Sequence, residues 1–414
     1  MKRKMLNSSL VSRYKYHVIL LLNLFYLLGI YTSNSFALLH NPSIIKILYD
    51  SSNALHRDVQ YHPEQPQRTE ACLKSLTKYM TTSERPIELI DTSSNRNGGD
   101  SEGESGISSA AMYPFSDSEL DKAKSILIEI HTEELVSSLE TKCRLSKKDR
   151  LQEGKEHLGF IGYLDHDTYL TTESFDVCLR ATASWMKCVD MVLTNDKVEN
   201  NSASCVAMAL TRPPGHHATK TLSNGFCVFN FAAAAAVHAI SLPNCKRVTI
   251  LDWDVHYGQG IADIIKDYPN IRYVSMHQVP AFPYMGQEKR ISGEYGNIKT
   301  VPIPADSTWI CGYKAAFEDE VLPFCFVKGE WEADLFIICA GYDALDSEEL
   351  ASCSLNAVDY GTMTSLLKGY IKDQRGDDKS VGLMFGLEGG YQLRDNVPGG
   401  NLADAVIETL KACT

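Results

Sequence analysis

The stretch Leu251–Gly260, LDWDVHYGQG, places Asp252, Asp254 and His256 at every second position. On an extended strand alternate side chains point to the same side, so this spacing puts two carboxylates and an imidazole on one face. Such a set either holds a divalent metal ion or consists of carboxylates hydrogen-bonded to the turn that follows. Three other short stretches carry comparable chemistry. RPPGHHA (212–218) uses two prolines and a glycine to shape a tight loop that presents His216 and His217 side by side; alone, it reads as a turn with one exposed and one satisfied ring. AGYDA (340–344) sets Asp343 just after an apolar run, where a lone Asp commonly caps the next helix. LEGGY (387–391) has two glycines that permit a sharp turn and project Tyr391, which in isolation would be a packing residue. Taken together, the four point to one site that combines metal ligands, a pair of imidazoles able to move protons near neutral pH, and a phenol.

Elements must bring these stretches together. Short apolar runs at IIKILYD (44–50), SCVAMAL (204–210), RVTILDWDV (247–255), IRYVSMH (271–277), DLFIICA (334–340) and SVGLMFGLE (380–388) are separated by helical patterns. That alternation predicts an α/β protein with a parallel sheet covered by helices on both faces. In such sheets ligands gather beyond the carboxyl ends of the strands, which is where the polar residues fall. HRDVQYHPEQPQR (56–68) reads as a polar loop, and TSSNRNGGDSEGESGISSA (92–110) as a disordered surface insertion that contributes no core.

The 414 residues are 44% hydrophobic, enough for a sizeable core. The formal net charge is -12, with no long basic block beyond the first few residues, which argues against direct nucleic-acid binding and allows a cationic substrate. The 12 cysteines are scattered, without CxxC pairs, and read as reduced, buried small hydrophobes. Residues 1–40 differ from the rest: a basic stretch, the apolar VILLLNLFYLLGIY and the small polar TSNSFA follow the order of a secretory signal. The apolar core is short for a span of about 20 residues, so cleavage is expected; an uncleaved anchor, the alternative, would be the chain's one tie to a membrane. The segment predicts secretory-pathway or organelle delivery, a plastid included, with nucleus or cytoplasm as the destination if it does not function. Residues 41–414 are then the catalytic domain.

HPEQPQR, RPPGHHA, GFCVFN, LDWDVHYGQG, SMH, AGYDA and LEGGY follow one another in an order and at intervals that resemble the zinc-dependent histone deacetylase family, class II-like, within the superfamily that includes acetylpolyamine amidohydrolases. The likeness runs from about residue 44 to the end. It implies an arginase/deacetylase-like three-layer α/β/α fold with a central, mostly parallel eight-stranded sheet, and removal of acetyl or related acyl groups from lysine side chains of histones or other proteins.

Carried over by position, the resemblance makes Asp254, His256 and Asp343 the ligands of Zn²⁺, an oxygen-rich set that also admits Fe²⁺. His216 and His217 would flank the attacking water, and Tyr391 would donate to the oxyanion. Asp252 would support His216 from behind and share a structural K⁺ with strand carbonyls and Ser275. The second His of the pair normally leans on an Asp or Asn; here that position is Gln259, which can accept the same hydrogen bond one methylene further out. Tyr257 stands where the family usually has His. Phe226, following Gly225 in GFCVFN, and Phe282 would wall a narrow tunnel, and Asp167 would hold the substrate backbone at its rim. HPEQPQR departs from the more usual HPERPER, so no arginine contact is assigned there. Leu350, seven residues beyond Asp343, occupies the place where polyamine-selective relatives carry an acid, which favours acyl-lysine, although Glu349 lies beside it. The alternatives are an acetylpolyamine amidohydrolase and a catalytically weak scaffold of the same fold. An arginase-like activity would need further carboxylates for a second metal ion.

Overall fold

The six apolar runs become strands because each can be buried on both sides. They are β1 (Ile45–Tyr49), β6 (Val206–Leu210), β7 (Val248–Asp252), β8 (Ile271–Val279), β11 (Leu335–Ala340) and β12 (Gly382–Leu387). The computed structural model describes residues 44–83, 86–93, 110–152, 159–194, 206–375 and 381–413. The 1–40 segment and nearly all of the 92–110 insertion lie outside these residues. No helix among the described residues is long and apolar enough to cross a membrane.

Four further strands join the main sheet: β2 (Ile87–Asp91), β3 (Ala111–Met112), β9 (Arg290–Ser292) and β10 (Ile298–Pro304). The order is β3-β2-β1-β6-β12-β11-β7-β8-β10-β9. All neighbours run parallel except β10 and β9. Eight strands of five or more residues thus form the parallel sheet that was expected, and two short edge strands extend it to ten. The edges escaped prediction because they carry no buried pattern: β3 is exposed and β9 nearly so. β10 is hidden in sequence by Pro302 and Pro304, which lie beyond the three residues that pair with β9, as the missing amide of proline requires near an edge. A separate hairpin pairs β4 (Phe160–Tyr163) with β5 (Tyr169–Thr171).

Alternation along the strands feeds two cores. Leu48, Ala207, Ala209, Ile250, Ile337 and Met384 pack with helices Asp117–Ile130, Ser174–Leu193 and Phe231–Ile240. Ile47, Met208, Leu251, Ile338 and Phe385 pack on the other side with helices Gln67–Thr82, Ala357–Arg375 and Leu402–Lys411. The result is the three-layer α/β/α arrangement. Ten of the eleven described cysteines are free and buried, Cys311 being the exposed one.

Candidate functional site

The carboxyl ends of β6, β7, β8, β11 and β12 meet along one edge, and the loops that leave them carry the polar residues. β7 ends at Asp252, so Asp254 and His256 belong to the bend beyond it rather than to a strand face. Trp253 and Val255 turn into the core, and the bend brings Asp254 Oδ1 to His256 Nδ1.

Asp254 and Asp343 are fully buried and His256 nearly so. His256 Nδ1 lies 3.0 Å from Asp343 Oδ2 and 3.2 Å from Asp254 Oδ1. The three residues can each offer a ligand atom within 4.8 Å of the others, a candidate metal-binding triad. The remaining carboxylate oxygens are oriented by the backbone: Val255 N–H donates to Asp343 Oδ1 at 2.9 Å and Gly389 N–H to Asp254 Oδ2 at 2.8 Å. Gly389 is required here, since a Cβ would stand 2.2 Å from Asp343 Oδ2 and 2.6 Å from Asp254 Oδ2.

Electrostatics follow from this crowding. Burial opposes charge on His256, but Asp343 and Asp254 outweigh it and push the imidazole up to about 10. Burial and the neighbouring Asp254 raise Asp343. Burial also works against ionised Asp254, but His216 and His256 outweigh it and hold that carboxyl below its usual range. Two buried carboxylates therefore depend on nearby positive charge.

The His pair lies beside the triad, the rings tilted by 44° with centroids 4.0 Å apart. His216 Nδ1 donates to Asp252 Oδ2 at 3.1 Å, and Tyr273 donates to the same oxygen at 2.8 Å. His216 Nε2 is 3.7 Å from Asp254 Oδ1. Despite burial, Asp254 and Asp252 push His216 up to about 10, whereas burial and the adjacent His216 and His256 hold His217 well below its ordinary value. Charge and burial thus push the two neighbouring imidazoles in opposite directions. His217 Nδ1 lies 2.7 Å from Gln259 Oε1. Ser275 is in register with Asp252, and its hydroxyl engages His277 Nδ1 at 2.9 Å.

Aromatic rings stand around these groups. Phe282 packs edge-on against His217 at 4.8 Å, and Tyr391 packs edge-on against Phe226 at 5.6 Å. Gly225 adopts φ +57°, and a Cβ on it would come within 2.7 Å of both His217 and Phe282. Asp167 is exposed, while Asp165 two residues earlier accepts the Gly225 N–H at 3.1 Å. Leu350 is partly exposed and borders, with Tyr61, Gln65, Glu348 and Tyr391, a cavity of about 250 Å³. A larger cavity, about 710 Å³, lies at the opposite edge, where Arg247, Asp334 and Arg375 surround the strand starts.

Sequence reasoning missed the buried frame behind the loops. Arg212 makes a two-pronged ion pair with Glu64, Nε to Oε1 at 2.7 Å and Nη2 to Oε2 at 2.6 Å, and donates to the carbonyls of Asn53 and His56 at 2.6 Å. Arg68, also fully buried, donates through Nε to Gly390 O at 2.8 Å and through Nη2 to Glu388 O. Its guanidinium lies 4.6 Å from the centre of the Tyr391 ring. An arginine contact therefore does come from HPEQPQR: the two glutamines replace other positions and leave Glu64 and Arg68 in place. Glu388 accepts the Gly215 and His216 N–H groups at 2.6 and 3.1 Å, and burial raises it to about 7. Glu348 accepts the Tyr391 N–H at 2.7 Å. The signal for Glu64, Arg68, Arg212 and Glu388 lay in the quoted motifs themselves, each holding a charged residue that had no assigned task.

Comparison with known proteins agrees with this architecture. The family model "Histone deacetylase domain" matches residues 62–408. An uncharacterized Synechocystis protein, slr0245, is 38% identical over 60% of this chain and 73% of its own length. Histone deacetylase 10, chloroplastic, from rice is 28% identical over 88% of this chain and 72% of its own. The crystal structure of the HDA15 HD domain superposes with a TM-score of 0.65 at 24% identity, covering 89% of each chain, a likeness of fold. With the domain match running through every loop that reaches the edge just described, the chain belongs to the histone deacetylase family.

Proposed function

We propose that this protein is a metal-dependent amidohydrolase that removes acetyl or related acyl groups from lysine side chains of proteins. The observation that carries this reading is the convergence of Asp254 Oδ1, His256 Nδ1 and Asp343 Oδ2 beside a pair of imidazoles. Two buried carboxylates and an imidazole fit a divalent cation, which would neutralise charge that burial otherwise disfavours; Zn²⁺ suits the set and Fe²⁺ is compatible with it. Such an ion, when bound, supplies Lewis acidity toward the acyl oxygen and toward water. Asp252, with Ser275 alongside, would contribute to a K⁺ site behind His216.

His217, neutral, takes the proton from water and returns it to the leaving amine. His216, hydrogen-bonded to Asp252, assists electrostatically as negative charge develops on the acyl oxygen. Tyr391 donates its hydroxyl to that oxygen, on a loop held by Arg68 and Glu348. Phe226, Gly225 and Phe282 line the path for the lysine methylenes, and Asp167 at the rim offers a carboxylate to the substrate backbone. The choice of acyl-lysine over polyamine rests on Leu350, an apolar residue at the mouth. The acids beside it are already engaged: Glu348 accepts two backbone N–H groups, and exposed Glu349 pairs with Arg394 at 3.5 Å. The rice relative is named chloroplastic, which supports delivery of this chain to an organelle.

Metal-loaded protein assayed in parallel on acetyl-lysine peptides and on acetylspermidine tests the reading. Faster turnover of the peptide is expected. Faster turnover of acetylspermidine would replace it with a polyamine amidohydrolase, and no turnover of any acyl amide would leave a scaffold.

A further inference from the structure

Gln259 is joined to His217 by more than one contact. Its Oε1 faces His217 Nδ1 at 2.7 Å, and its Nε2 donates to Asn224 Oδ1 at 2.9 Å and to His217 O at 3.3 Å. Asn224 Nδ2 in turn donates to His217 O at 3.0 Å. The hydrogen bonds form a closed circuit that starts at the His217 ring, passes through two side-chain amides and ends on the His217 carbonyl. An amide group has one accepting end and one donating end. Reversing Gln259 would set its oxygen against Asn224 Oδ1 and His217 O, two acceptors. Reversing Asn224 would set its oxygen against the His217 carbonyl and its NH₂ against that of Gln259. Either reversal sets like against like and leaves buried groups unsatisfied. The Asn224 backbone is itself fixed by a reciprocal pair of hydrogen bonds with Cys227, both 3.0 Å.

We infer that Asn224 is a positioning residue that acts through Gln259 to hold His217 as the tautomer protonated at Nδ1, leaving Nε2 as the ring's acceptor. The circuit's direction has one source, the His217 carbonyl, which can only accept. Without Asn224, only the longer 3.3 Å contact of Gln259 Nε2 to the His217 carbonyl would set which end of the amide meets the imidazole. This deepens the proposed function, since the role of Nε2 as proton acceptor rests on that reading, but the tautomer itself does not.

The test uses full-length, zinc-loaded protein labelled with ¹⁵N-histidine. Long-range ¹H–¹⁵N correlation, with His217 assigned by its loss in His217→Ala, reads which ring nitrogen carries the proton. Asn224→Asp keeps the oxygen that accepts from Gln259 Nε2 but loses the donor to the His217 carbonyl. Asn224→Leu, similar in volume, loses both. The wild type should show an Nδ1-protonated His217, Asn224→Asp should keep that pattern, and Asn224→Leu should mix the two tautomers. On an acetyl-lysine peptide, Asn224→Leu should lower kcat by roughly tenfold or more with little change in KM, and Asn224→Asp by clearly less. A wild-type His217 protonated at Nε2, or the same pattern and the same kcat in both variants, would overturn the inference. If the wild type hydrolyses no acyl amide, the function reading fails while the spectra still decide the tautomer.

Discussion

Replacing Arg68 by Met probes the frame that carries Tyr391. Arg68 is fully buried and donates to the carbonyls of Gly390 and Glu388, while its Nη1 lies 3.5 Å from Glu64 Oε1. Methionine roughly fills the stem's space but leaves two buried carbonyls without these donors and removes one of the two guanidinium groups around Glu64. Each unsatisfied buried acceptor costs about 1–3 kcal/mol. Arg212 still pairs with Glu64 through two hydrogen bonds, so the carboxylate is not stranded. The expected loss of stability is about 3–5 kcal/mol, a large part of a typical domain's margin of about 5–15 kcal/mol, and it should appear as a fall in Tm of roughly 5–10 °C. The distinguishing effect is on turnover. Because Gly390 precedes Tyr391 and Arg68 also lies against the Tyr391 ring, a loop displaced by about 1 Å should lower kcat by roughly a hundredfold, with zinc per chain unchanged. Thermal unfolding, metal analysis and steady-state kinetics on one preparation decide it. A lower Tm with wild-type kcat would mean that Arg68 holds the fold but does not place Tyr391.

Three further outcomes follow from the same geometry. Tyr391→Phe should keep its metal and lose roughly a hundredfold or more in kcat, as removal of an oxyanion donor does; unaltered turnover would take the hydroxyl out of the mechanism. Gly389→Ala should lose bound metal with a folded core, because its methyl would occupy the space between Asp343 Oδ2 and Asp254 Oδ2; full zinc occupancy would show that the triad tolerates displacement. Stability should fall with acid in two stages. Burial and the Arg212 charge keep His56 neutral down to about 3 instead of the ordinary 6.5, so the unfolded chain binds the extra proton as pH drops through that window. Burial works against ionised Glu64, but the charges of Arg212 and Arg68 outweigh it and lower it to about 2 from 4.5, so its contribution is present above 4.5 and is lost between 4.5 and 2. Urea midpoints measured across pH 7 to 3 should decline throughout, and His56→Asn should flatten the upper part; an unchanged slope in that variant would remove His56 from the cause.

Much of this architecture is legible in the chain because its main strands are short apolar runs buried on both faces and followed at once by polar residues. The runs at 45–49, 206–210, 248–252, 271–279, 335–340 and 382–387 needed no tertiary information. What escaped reading had a physical cause in each case. β10 is interrupted by Pro302 and Pro304, tolerable near an edge but a breaker by propensity. Asp254 and His256 share a side through a bend rather than through strand alternation, so the spacing suggested the grouping for a reason that the backbone does not use. Glu64 meets Arg212 across 148 residues and Arg68 meets Gly390 across 322; no local pattern announces such pairs. Asn224 is equally silent, since its meaning comes from which end of the Gln259 amide it faces.

The proposed activity requires Asp254, His256 and Asp343 to hold one divalent ion. Zinc K-edge absorption of the metal-loaded protein, read together with zinc per chain for Asp254→Asn and Asp343→Asn, tests it most directly. A single ion in a nitrogen and oxygen shell with one imidazole and no sulfur is expected, together with its loss in both variants. A sulfur-containing shell, or full occupancy after either substitution, would contradict it.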